Sequence, residues 1–136
     1  MRKLLLMLVA LATINFAFSQ KSASKIFVHA PDAKEKISIT NGALSDFVKK
    51  WYWVSIQFSD LKLETKDGDY FLLAKDEVNK RTFAFKLMKK DGKAYLAHTT
   101  YVNICTCDCM ELSYFIIEKG EIIGCNRASH SIVSGL

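Results

Sequence analysis

"LKLETKDGDYFLLA", residues 61 to 74, carries the turn on which the architecture rests. Asp67-Gly68 is a dipeptide favoured at the centre of a two-residue type I′ turn, where both positions need positive φ. On that register Leu63 faces Leu72 and Leu61 faces Ala74, which places an apolar row on one side of a hairpin. The same device returns twice downstream. In "RTFAFKLMKKDGKAYLAHTTYV" (81–102), Asp91-Gly92 predicts a hairpin in which Leu87 faces Leu96 and Phe85 faces His98. In "YFIIEKGEIIGC" (114–125), Lys119-Gly120 predicts a third, with Ile117 facing Ile122 and Ile116 facing Ile123. The echo between the two Lys-Asp-Gly segments is explained by two similar hairpins and needs no inherited repeat.

Upstream the period changes. Leu44, Phe47, Val48 and Trp51 recur at helical spacing, with Ser45, Asp46, Lys49 and Lys50 between them. That predicts an amphipathic helix of about ten residues entered through Thr40-Asn41-Gly42. From Tyr52 the alternation is twofold, with Tyr52, Val54, Ile56 and Phe58 on one side, so a strand is expected there. "KIFVHA" and "KISIT" read as short strands separated by a turn at Pro31-Asp32. The expected fold is therefore α+β: one N-terminal amphipathic helix packed on a long antiparallel β-meander of successive hairpins. Periodicity does not decide whether that sheet is open, rolled or a partial barrel.

The first residues set the compartment. Arg2 and Lys3 precede the apolar run "LLLMLVALATINFAF", and Ala17-Phe18-Ser19 supplies small residues for cleavage between Ser19 and Gln20. Residues 1–19 are expected to be a signal peptide and 20–136 a single exported α+β domain, periplasmic or secreted, with no membrane anchor in the mature chain. Without Arg2 and Lys3 the 19 basic residues fall by two against 14 acidic ones, leaving a formal charge of about +3. The lysines are scattered, so no phosphate-binding stripe forms and nucleic acid is not expected as a partner. An unknown protein or small ligand is.

"NICTCDCMELSY" (103–114) holds Cys105, Cys107 and Cys109, and Cys125 follows. In an exported chain these four are disulfide candidates first. On a regular strand the three clustered sulfurs share a face, where a bond between cysteines two apart is disfavoured, so Cys125 should bond one and leave two. Extending the third hairpin outward sets Tyr114 opposite Cys125 and Cys109 opposite His130. Cys109 then lies five residues from Tyr114, the partner of Cys125, roughly 17 Å along the strand at ~3.4 Å per residue and on the opposite face. A Cys125 staple thus requires an irregular loop within 105–113. The alternative is a zinc or copper site using Cys105, Cys107, Cys109, Cys125 and His130. Ligand pairs on either side of a hairpin suit a zinc ribbon, but Cys-x-Cys in place of Cys-x-x-Cys makes a tight chelate better fitted to Cu(I). A thiol–disulfide role is weaker still, because Asp108 between two cysteines opposes thiolate formation.

Other candidates have plainer readings. His98 falls on an apolar face, His29 beside Pro31, and "WYW" (51–53) reads as a helix–sheet seam before it reads as a stacking platform. Asp67, Asp69 and Asp91 belong to turns. No phosphate loop or nucleophile elbow is present in the sequence, so no catalytic residue and no cofactor is assigned. The expected function is an exported, non-catalytic binding or structural module of unknown ligand, cysteine-stapled near its C-terminus.

Overall fold

The computed structural model describes residues 25–30 and 37–135. The signal segment, the Ser19–Gln20 cleavage point and the Pro31-Asp32 turn lie outside them. Among the described residues the chain is mostly antiparallel β-sheet with one α-helix. The elements are β1 (Lys25–His29), α1 (Asn41–Tyr52), β2 (Asp60–Lys66), β3 (Asp69–Asp76), β4 (Arg81–Lys86), β5 (Met88–Lys90), β6 (Lys93–Ala97), β7 (Val102–Cys105), β8 (Phe115–Glu118), β9 (Glu121–Cys125) and β10 (His130–Val133). A 3₁₀ turn, Leu112–Tyr114, precedes β8.

The strands form three sheets: five strands in the order β10-β7-β4-β3-β2, three in the order β1-β6-β5, and the pair β8-β9. The first hairpin has Leu63 opposite Leu72 and Leu61 opposite Ala74. Asp67 and Gly68 take φ of 51° and 82°, and Asp91-Gly92 and Lys119-Gly120 repeat that left-handed pair. The second hairpin is regular only at its tip, from Met88↔Tyr95 to Lys90↔Lys93. His98, Thr99, Thr100 and Tyr101 are then looped out, and Phe85 faces Val102 instead of His98. The excursion bends the hairpin at Leu87. Its base stays in the five-stranded sheet, and its tip leaves to pair with β1. In the third hairpin a bulge at Ile123 shifts the register between Ile116 and Ile117 and sets Ile116 opposite Gly124 and Phe115 opposite Cys125, so Ile116 does not face Ile123.

Helix α1 starts where Thr40 Oγ1 accepts a hydrogen bond from the Ala43 amide at 3.1 Å. It buries Leu44, Phe47, Val48 and Tyr52. Ser45 is buried too, against its place on the polar side of the sequence pattern, because its hydroxyl accepts from the Phe58 amide at 3.2 Å. Residues 53–59 alternate in burial but form no strand. "KISIT" likewise forms no strand over 37–40, although the Ser38 amide donates to the Val28 carbonyl at 2.8 Å.

The five-stranded sheet is covered on both faces. One face carries Leu63, Leu72, Ala74, Phe83, Phe85, Val102 and Ile104 into a core shared with α1, β1 and β6. The other carries Phe71, Leu73, Ala84 and Cys105 beneath Leu112, Phe115 and Ile122. Sheets covered on both sides lose the in–out alternation of half-exposed ones. The buried run Phe71–Ala74 is the result.

Candidate functional site

All four cysteines converge on the second, smaller core. After Cys105 the chain leaves the strand, passes through bends over 106–108 and reaches the 3₁₀ turn. Cys105 and Cys125 sit at disulfide distance with Cα atoms 5.8 Å apart, and Cys107 and Cys109 do so at 5.2 Å. No described cysteine is free. The loop required for a Cys125 staple is present, and its partner is Cys105. The expectation that two cysteines remain unbonded is corrected. It assumed a strand through Cys109, whereas a turn lets residues two apart meet.

The first pair links the central sheet to the overlying hairpin. Cys105 ends β7 with its side chain fully buried among Phe71, Leu73 and Ala84, and Cys125 ends β9 above it. The Asn126 amide donates to the Tyr114 carbonyl at 2.7 Å, which carries the hairpin pairing past the disulfide.

The second pair lies in a loop held by several other groups. The Cys107 amide donates to the Cys105 carbonyl and the Thr106 amide to the Ser129 carbonyl, both at 3.0 Å. Thr82 Oγ1, on β4, donates to the Cys109 carbonyl at 2.5 Å and lies 3.4 Å from that of Cys107. Glu64 on β2 accepts from the Leu112 amide. Asp108, at the outer tip, is paired with Lys75 at 2.7 Å, and Lys75 also meets Glu77 at 2.9 Å. Hydrogen bonds from Asp108 and then Glu77 push the Lys75 ammonium well above its ordinary range. Glu77 is held down at about 2 by hydrogen bonds from Lys80 and then Lys75. Lys75 was not singled out in the sequence. The signal for it is the β2–β3–β4 register, which sets its side chain on the same face as Thr82.

His130 is not opposite Cys109. It pairs with Cys105 across β10 and β7, and its Nε2 lies 2.9 Å from Asn103 Oδ1. Among the described residues no three His, Cys, Asp or Glu side chains are grouped to hold a metal ion. Cys105 with Cys125, and Cys107 with Cys109, stand instead in two pairs at disulfide distance. His98 lies in the loop-out, its ring 4.6 Å from that of Trp51. In the aromatic triplet Trp51 and Tyr52 pack inward, the Tyr52 hydroxyl donating to the Thr100 carbonyl at 2.5 Å, while Trp53 is 78% exposed. Beside the cysteine loop a groove of about 690 Å³ runs between Thr65-Lys66 and the segment holding Leu112, Phe115 and Ile117. No described helix is long and apolar enough to cross a membrane. Compared with known proteins, no family model, curated protein or solved structure matches this chain.

Proposed function

We propose that the chain is an exported binding or structural module without catalytic activity, stapled by disulfide between its central sheet and its C-terminal hairpin. The observation that carries this reading is the Cys105–Cys125 pair, which joins two packed layers through a fully buried sulfur position. Two disulfide-distance pairs in a small domain are compatible with an oxidising compartment. The groove beside the loop falls in the size range of small-ligand sites and is the surface assigned to the ligand. The test is intact-mass analysis of the protein recovered from the periplasm or medium of a bacterial host. A species starting at Gln20 and lighter than its reduced form by the hydrogens of two disulfides is expected. Retention of Met1, or four free thiols in the exported species, overturns the reading.

A further inference from the structure

The two cysteine pairs stand in different surroundings. Cys105 is fully buried, and its bond closes a ring spanning 20 residues. The Cys107–Cys109 bond closes a ring spanning 2 residues, with Cys107 half-buried at the loop surface and Cys109 beneath it. So short a ring removes only about half as much freedom from the unfolded chain as the ring spanning 20 residues. Nor does the fold depend on it to hold the loop, since Thr82, Ser129 and the Lys75–Asp108 pair do so. We propose that Cys107 and Cys109 form an accessible dithiol–disulfide exchange pair that cycles while Cys105–Cys125 stays closed.

The chemistry balances with an external dithiol, protein or small molecule, as reductant. Its thiolate attacks Cys107 Sγ, on the less buried residue of the two, and the Cys107–Cys109 bond breaks. Its electron pair leaves on Cys109 Sγ, which takes a proton from water. The second thiol of the reductant then displaces Cys107, so two electrons and two protons reach the pair and the reductant becomes a disulfide. The reverse sequence oxidises a dithiol substrate. Asp108, which would oppose thiolates on either side of it, is neutralised by Lys75 at 2.7 Å. Thr82 Oγ1 lies 3.9 Å from Cys109 Sγ, so its hydroxyl can turn from the Cys109 carbonyl toward a thiolate there.

The exchange pair would add a redox activity to the binding or structural module, and its test leaves the groove and the Cys105–Cys125 staple to be judged separately. Exported full-length protein is equilibrated in graded glutathione buffers, alkylated with N-ethylmaleimide and mapped by peptide mass. Cys107 and Cys109 should take label at a thiol-to-disulfide ratio at least tenfold less reducing than that required by Cys105 and Cys125. Simultaneous labelling of all four, or earlier labelling of Cys105 and Cys125, overturns the proposal without bearing on whether the Cys105–Cys125 bond forms in the exported protein. In a second measurement, Cys109→Ser is exposed to oxidised glutathione. One glutathione on Cys107 with Cys105–Cys125 unchanged is expected, and absence of any adduct on the folded variant overturns it.

Discussion

Trp53 and Asp76 show how single side chains set local geometry here. Trp53 follows the last turn of α1 in the left-handed region, φ 58°, with most of its indole in solvent. A β-carbon there costs about 1–2 kcal/mol, and an exposed ring recovers little of it. Trp53→Gly should therefore stabilise the fold by about 1 kcal/mol, read as a raised urea midpoint. An unchanged or lowered midpoint would mean that the indole has packing value in solution. Asp76 is buried at the start of the β3–β4 turn, where its carboxylate accepts from Arg81 at 2.7 Å and from the Asn79 side chain at 2.9 Å. Burial alone would raise its pKa, but the hydrogen bonds from Asn79 and Arg81 outweigh it and hold the group below the ordinary carboxylate value. Its stabilisation is thus fully present above about pH 4, the unfolded value, and is lost as pH falls through the lower folded value. Asp76→Ala should cost about 1.5–3 kcal/mol at pH 7. Urea curves of variant and parent should draw together in strong acid, and a gap constant down to pH 2 would contradict this role.

Helix α1 meets the sheet through Leu44, Phe47 and Val48, and Phe47 is 5% exposed. Phe47→Ala should cost about 3–5 kcal/mol through lost burial and the cavity left behind. A denaturation midpoint that did not move would show that the helix is not docked. The positions of the hairpin turns were legible in the sequence because Asp-Gly and Lys-Gly satisfy a backbone requirement confined to two residues. Their irregularities were not. The loop-out of His98–Tyr101 and the slip to Gly124 answer to packing from elements distant in the chain, and neither interrupts the local apolar pattern. Residues 53–59 failed in the opposite direction. Their alternation in burial is real, but the Phe58 amide is spent on Ser45 Oγ, and bonding to β3 begins at Ser59, whose amide donates to the Lys75 carbonyl at 3.0 Å. Burial periodicity reports faces, whereas a strand needs a hydrogen-bonding neighbour.

The two disulfide pairs contribute unequally to holding the layers together. Chain entropy rises with the logarithm of ring size, so the bond spanning 20 residues should outweigh the one spanning 2 by about twofold. Cys125→Ser should lower stability by about 2–5 kcal/mol and free the Cys105 thiol. The double change of Cys107 and Cys109 to Ser should cost about half as much. Equal losses in chemical denaturation would show that native contacts, not chain constraint, set the balance. Of the candidate site, the sequence revealed the crowding of sulfurs and the need for a loop. It did not reveal that β10 returns beside β7, which moved His130 from Cys109 to Cys105. That pairing joins segments separated by the whole third hairpin, and no local pattern records it.

The pairing of β1 with β6 has a kinetic consequence. Lys25–His29 is made well before Lys93–Ala97, its one strand neighbour among the described residues. The hairpins of β2–β3 and β3–β4 close over short loops and can form within microseconds of release. The first strand must wait unpaired until most of the domain has appeared. Contacts between distant segments slow folding because the loop between them must be closed before they form. During that interval Ile26, Phe27 and Val28 present an open apolar edge, so the nascent chain is exposed to aggregation at this strand.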